Sequence, residues 1–350
     1  MLGLKVNVAF ILDHKLHHYR IPLFEKLGGH YDVTVFHRGP MVDGCFSFKQ
    51  ELLAYKEVGP FCWIEKVPDL NAFSSVVVMQ NLRVLNIYLF PLKFRASDLL
   101  MWGIGTSSAK GVGSESAISF FARNVITSMY KGLALYSSMP LHNYWRINQR
   151  KACVVGNSIY NEFSFNSSRR VKKYFLFIGS LDKRKGIVEL LYAFQAALRV
   201  NSGLQLKIVG AGPEKDSLEK KIHELELYDN VELLGAIYDG LQKSRVFEGA
   251  YCVISPLQAG LSVVESFSYG VPFVTSVNAI TGGESQSVIH DENGVLFNDP
   301  SQLSDIILSF VDGRRCSSFL GNNAYMFFQK NLSFELYVKR FKSFIEKHND

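Results

Sequence analysis

Four short stretches in the second half of the sequence set cations, glycines or a carboxylate where an apolar run gives way to helix-like spacing. In FIGSLDKRKGIVELL the apolar run ends at Gly179 and Ser180, and Arg184 and Lys185 precede a helix expected to start near Gly186. A lysine beside the unbonded amides of a helix start neutralises a diphosphate, each charge-assisted contact contributing about 1.5–3 kcal/mol; the same residues also suit a solvated turn. In LKIVGAGPEKDSLEKKI, Gly210 and Gly212 permit a tight turn and Pro213 suits the first turn of a helix. The dinucleotide fingerprint G-x-G-x-x-G is incomplete there, because Asp216 and Ser217 follow where a further glycine belongs.

The stretch CVISPLQAGLSVVESFSYGVPFVTS carries the most chemistry. Gly260, Leu261 and Ser262 open an expected helix whose amides face a diphosphate, and Glu265, about one turn on, presents a carboxylate suited to a ribose diol. In TGGESQSVIHDENG, Glu284 follows a double glycine in a loop that either folds over a ligand or stays in solvent. The first half offers His14, His17, His18, Tyr19 and Arg20 after its first apolar run. That group suits contacts to an acceptor or to donor phosphates; alternatively Tyr19 and Arg20 cap and pack the first helix. Arg123, Tyr130 and Lys131 on FFARNVITSMYKG read either as a basic face toward anionic lipid or as an ordinary core-facing helix.

These stretches need strands to end at and helices to begin. VNVAFILD, YDVTVFHR, SSVVVMQN, DLLMWGIG, KGLALYSS and KACVVGNS read as strands with helices between most of them, which is the pattern of parallel sheets covered on both faces. A polar, basic stretch from Asn161 to Lys173 interrupts this order and reads as a linker. The alternation then restarts: a strand at Tyr174–Ile178, a helix from Ile187, strand LQLKIVG, a helix from Pro213, strands VELLG and YCVIS, a helix from about Ser262 and strand PFVTS. In the tail, Phe334, Leu336, Tyr337, Phe341, Phe344 and Ile345 fall at mostly helical spacing. The expected class is α/β, with two Rossmann-like domains at 1–165 and 166–332 and a terminal helix at about 333–350 returning to the first.

Composition agrees with two folded domains: 350 residues, 47% hydrophobic and 20% charged, exclude global disorder. The net charge of +6 comes from residues 1–165, with 17 basic against 11 acidic residues, while 166–350 hold 21 of each. A basic lobe attracts anionic membrane, a phosphorylated acceptor or nucleic acid alike. Five scattered cysteines with no C-x-x-C fit neither a disulfide framework nor a zinc site, and a reducing cytoplasm suits them. No apolar run approaches the roughly 18 residues that span a bilayer. The opening MLGLKVNVAFIL reads as a first buried strand.

In this order the four stretches resemble glycosyltransferase family 4, of the GT-B fold with two Rossmann-like domains facing a central cleft. The family's G-R-L-x-x-x-K-G turn, which gives Arg and Lys to the donor phosphates, reads GSLDKRKG here: Lys185 matches and Ser180 replaces the arginine. In the family's Glu-x7-Glu element the second acid, which contacts ribose, matches Glu265; the first falls on Leu257. DHKLHHYRIPLFEKL resembles the first strand-to-helix turn of bacterial polysaccharide transferases. DLLMWGIG resembles a strand often ending W-G-H-G, with Ile104 at the histidine, and GNSIYN matches a family turn at Asn157. The resemblance implies a retaining transfer from a nucleotide-diphosphate sugar to a glycan or lipid-linked acceptor in surface polysaccharide synthesis. Lys185 and Arg184 then answer the leaving diphosphate, and Gln258–Gly260 meet the sugar. The resemblance also implies that the reaction needs no metal and no cofactor, in agreement with the lack of a D-x-D in an obvious loop and of a Cys/His cluster with ligand spacing. The expected location is cytoplasmic, with peripheral contact to the inner face of the membrane left open and no nucleic-acid partner. A nucleotide-sugar-binding relative without transfer, and an epimerase on the same scaffold, stay open.

Overall fold

The chain is described by a computed structural model covering residues 5–106, 116–162 and 171–348. It divides into two units, Met1–Tyr160 with Phe334–Asp350, and Asn161–Ser333. The expected linker falls largely on 163–170, outside the described residues.

In the first unit the strands are β1 (Asn7–Ile11), β2 (Asp32–His37), β3 (Lys49–Leu52), β4 (Tyr55–Val58), β5 (Phe61–Ile64), β6 (Ser75–Met79), β7 (Asp98–Gly103), β8 (Gly132–Leu135) and β9 (Ala152–Val154). Its helices are α1 (Ile21–Gly28), α2 (Phe90–Lys93), α3 (Ala117–Ser128) and α4 (Arg146–Arg150). The sheet is wholly parallel in the order β3-β2-β1-β6-β7-β8-β9. Its central strands are apolar throughout because both faces are covered: Val8, Phe10, Val77 and Trp102 look to one core, Ala9, Val76, Val78 and Met101 to the other. Between β2 and β6 the chain makes an edge strand and the antiparallel β4–β5 hairpin in place of a helix. Gly59 and Pro60 turn that hairpin and Gly59 takes φ +59°, a conformation natural to glycine.

The second unit repeats the plan with β10 (Tyr174–Ile178), α5 (Ile187–Leu198), β11 (Leu206–Val209), α6 (Lys215–Glu224), β12 (Val231–Gly235), α7 (Gly240–Glu248), β13 (Ala250–Ile254), β14 (Gln258–Ala259), α8 (Leu261–Ser268), β15 (Phe273–Ser276), β16 (Ile280–Thr281), β17 (Gly294–Phe297), α9 (Leu303–Val311) and α10 (Ser317–Phe327). The parallel six-stranded sheet runs β12-β11-β10-β13-β15-β17. In both sheets the winding reverses next to the first strand, between β1 and β6 and between β10 and β13. At such a reversal the connections leave in opposite directions and open a crevice at the carboxyl ends of the two strands.

The last helix, α11 (Phe334–Glu346), packs on the first unit. Its buried stripe Phe334, Tyr337, Phe341, Phe344 and Ile345 joins the core of Val8, Phe10 and Trp102. No helix among the described residues is long and apolar enough to cross a membrane. On α3 both Arg123 and Tyr130, just beyond it, are buried, Arg123 donating to Gln80 and Tyr130 to the Ile87 carbonyl. That selects the core-facing reading of these two over the lipid-facing one; the exposed residues of the helix are Ala117, Ile118, Phe121 and Ser128.

Candidate functional site

The reversal in the second sheet brings together three of the four stretches. After β10 the chain passes Gly179, at φ +151°, and the exposed Ser180, then makes a short 3-10 turn, Lys183–Lys185. Asp182 caps that turn, its side chain accepting from the Arg184 amide. Gly186 closes it in the left-handed region at φ +73°, pressed so closely on the next segment that a Cβ would lie 2.6 Å from Leu257 Cγ. Only glycine fits there. The Lys185 side chain folds back over the end of β10, where a Cβ on Gly179 would meet its Nζ at 3.7 Å.

From the neighbouring β13 come Ser255 to Gly260. Leu257 N donates to Lys185 O at 3.3 Å, and Ile280 N to Leu257 O at 2.8 Å. The short β14–β16 pair, Gln258 beside Ile280 and Ala259 beside Thr281, then ties the third stretch to the fourth. Glu284 Oε2 accepts from the Gly282 amide at 3.1 Å, and its charge offsets part of the loss at Lys185. Burial pulls the Lys185 ammonium below the usual lysine range; Arg184 adds to that, and Glu284 and Asp182 oppose it. α8 starts four residues beyond Leu257. Gly260 takes φ −127° and ψ −142°, a Cβ there would meet nothing within 4 Å, and the buried Ser262 hydroxyl of the first turn has no partner among the described residues. A partly desolvated cation and a helix start are each equipment for an anion.

The second stretch serves the same turn from beneath. A Cβ on Gly210 would overlap the Gly179 carbonyl and one on Gly212 the Leu181 carbonyl, so both glycines let β11's loop close on β10's. Leu181 N donates to Ala211 O and Glu214 N to Leu181 O, while Pro213 is exposed before α6.

Two residues differ from expectation. Arg184 turns to Asp182, donating to both carboxylate oxygens at 3.1 Å, and so serves the turn's own geometry. Glu265 is paired: Lys243 Nζ on α7 lies 2.7 Å from its Oε1, with both side chains under one-fifth exposed. Lys243 has no local sequence signal, because α7 reaches α8 only through packing such as the Phe247–Tyr269 stack at 4.4 Å. Lys243→Met keeps the apolar stem and removes the charge, leaving a half-buried carboxylate alone. It is expected to cost about 1–3 kcal/mol in urea unfolding, recovered when Glu265→Gln is added. Equal losses with and without Glu265→Gln would show that the pair is not coupled.

In the first unit Arg20 is corrected from an acceptor contact to a packing residue. It is 5% exposed, its guanidinium lies 4.3 Å from the Trp102 ring and it donates to the Tyr136 hydroxyl at 2.7 Å. Aromatic faces and the short preceding turn enclose it, so a solvent-borne ligand does not reach it. His14, His17 and Tyr19 form a file of rings, 5.0 and 5.5 Å between centroids, with His18 exposed beside them. Burial holds His17 down to about 4 and lowers His14 as well, so neither adds positive charge near neutrality.

Residues 160–327 match the family model described as glycosyl transferases group 1, a span that holds nearly all of the second unit. The chain is 33% identical over 147 residues, 40% of its length, to an exopolysaccharide phosphotransferase of Streptomyces coelicolor, covering 15% of that protein. It is 32% identical over 127 residues, 35% of its length, to an uncharacterized glycosyltransferase of Haemophilus influenzae, covering 35% of that one. The chain thus spans about a third or less of these curated relatives. Among solved structures, the Anabaena protein Alr3699/HepE in complex with UDP superposes with a TM-score of 0.73 at 14% identity, over 98% of this chain and 100% of that one. Sucrose-phosphate synthase from Thermosynechococcus elongatus gives 0.74 at 17%, over 98% and 99%. At such identities the likeness shows the fold, which is GT-B.

Proposed function

We propose that this chain is a retaining, metal-independent glycosyltransferase that moves a sugar from a nucleotide-diphosphate sugar to a glycan or lipid-linked glycan in surface polysaccharide synthesis. One observation supports the reading: the Lys183–Lys185 turn packs on the segment leading into α8, with Leu257 N donating to Lys185 O and Gly186 pressed against Leu257. The bond from the anomeric carbon to the diphosphate breaks while the acceptor oxygen bonds to that carbon on the same face, and the acceptor proton passes to the departing diphosphate. Lys185 and the amides at Leu261 and Ser262 answer the charge that gathers on the diphosphate. Gln258–Gly260 lie toward the sugar, and the Glu265 oxygen not held by Lys243 accepts from ribose. The group 1 match supports a transferase, and the UDP in the Anabaena structure makes UDP-sugars the first donors to test.

Thermal melting against nucleotides and nucleotide sugars tests the donor. A ligand present at about 100 times its Kd adds roughly 2.7 kcal/mol to the stability of the unit that binds it. The reading fails if no nucleotide diphosphate or its sugar raises the melting temperature. Ser180 and Leu257, standing where the resemblance places an arginine and a glutamate, favour a second reading in which the nucleotide is bound and not turned over. Binding without hydrolysis or transfer across a broad acceptor panel selects it.

A further inference from the structure

We propose that Lys243 is a second contact to the ribose of the bound nucleotide: its ammonium donates to one hydroxyl while the free oxygen of Glu265 accepts from the neighbouring one. The inference rests on the transferase reading, which sets Glu265 at the ribose and leaves Lys243 only as its ion-pair partner.

Lys243 stands near the start of α7, which Asp239 caps by accepting from the Gln242 amide. One turn further along each helix, Phe247 of α7 stacks on Tyr269 of α8, with 4.4 Å between centroids and 11° between planes. Positions 243 and 247 share a helix face, as do 265 and 269, so the ion pair and the stack are successive rungs between the two helices. Phe247 is fully buried and Tyr269 nearly so. The stack fixes the spacing of the helices, and the contact of 2.7 Å between Lys243 Nζ and Glu265 Oε1 then fixes both side chains.

Each partner keeps hydrogen-bonding capacity after pairing. A lysine ammonium has three N–H donors, and Glu265 Oε1 is their one acceptor among the described residues. Glu265 Oε2 has no partner among the described residues and, unlike Ser262 Oγ, stays open to solvent. A spare donor and a spare acceptor therefore stand side by side. The pair carries no net charge, so it attracts neither anions nor cations as a lone lysine or a lone carboxylate does. Tyr269 adds no charge either, because burial first and the Glu265 carboxylate second hold its phenol protonated. A vicinal diol uses both halves: one hydroxyl donates to Oε2 and the next accepts from Nζ, each bond charge-assisted. A carboxylate free on both oxygens takes two hydroxyls alike, as donors. Here the ion pair makes the two hydroxyls unlike.

The test is calorimetric titration of the full chain with UDP, ADP and GDP, then with the 2′-deoxy, 3′-deoxy, 2′-O-methyl and 3′-O-methyl forms of the tightest binder. Each deoxy form loses one charge-assisted bond and should bind about tenfold or more weaker than its parent. The ethers keep an accepting oxygen and lose the donated hydrogen, so an ether compared with the deoxy form at the same position reports acceptance alone. In the wild type the ether is expected to outbind its deoxy form by about tenfold or more at one position and not at the other. Lys243→Met keeps the apolar stem without the donors, and there the advantage should vanish. A wild type in which neither ether outbinds its deoxy form overturns the proposal, whether or not Lys243→Met folds; so does a folded Lys243→Met protein that keeps the wild-type advantage. If none of the three nucleotides binds, the transferase reading falls and this inference with it. A nucleotide that binds while both ethers match their deoxy forms sinks this inference alone.

Discussion

Lys185→Ala should lower kcat/KM for the nucleotide-sugar donor by roughly 10²–10³-fold, the usual cost of removing one preorganised group that meets developing charge. The lysine is placed by backbone: Asp182 caps its turn, Gly186 closes it, and Leu257 N holds its carbonyl. Truncating the side chain leaves all of that standing, so the melting temperature should hardly move. Its pH behaviour separates charge from shape. The folded pKa is lowered from 10.5, chiefly by burial, and diphosphate binding needs the charged form. Donor affinity is therefore full below the lowered pKa and declines as pH rises through it, at a lower pH than for an exposed lysine. Stability of the free protein has the opposite sign: between the two pKa values the unfolded chain holds more protons, so stability rises with pH there. Lys185→Arg should keep the charge and abolish the alkaline decline. Lys185→Ala with wild-type kcat/KM, or an alkaline decline unchanged in Lys185→Arg, removes the lysine from the chemistry.

The parallel sheets were legible because strands buried on both faces must be apolar along their whole length, as VVVM in β6 and FLFI in β10 are. The crevice of the second sheet was legible for a related reason: its parts follow directly on those strands, so the end of an apolar run announces Lys185 and the α8 start. Contacts made through packing left no such mark. Lys243 reads as a surface residue of a polar helix, and its pairing with Glu265 exists only because α7 lies on α8. Arg20 reads as exposed because charge usually is, yet Trp102 and Tyr136, far along the chain, enclose it. Asp13 and Asn81 are 68 positions apart and meet through sheet order, which no local pattern encodes. The β4–β5 hairpin escaped because its strands are only four residues each and β4 is mostly exposed.

Phe341→Ala is expected to destabilise the first unit by about 3–5 kcal/mol, a large share of the 5–15 kcal/mol that holds an ordinary domain. Phe341 is fully buried, with ring centroids of Trp102, Phe10 and Tyr337 at 5.0, 5.8 and 6.0 Å. It enters from α11, the last helix of the chain, and plugs the core of the first. Small residues cannot refill that space, since Phe10 and Trp102 are held by their strands, so the lost contacts and the cavity add together. Trp102 also carries the Arg20 guanidinium on its face, and loosening the ring should release the His14–Tyr19 turn with it. The readout is selective. All three tryptophans, Trp63, Trp102 and Trp145, belong to the first unit, so urea unfolding followed by their fluorescence reports that unit alone. The midpoint should fall with little change in slope, because the surface exposed on unfolding stays nearly the same. A loss below about 1 kcal/mol, the level of an ordinary surface substitution, would mean that α11 does not complete this core.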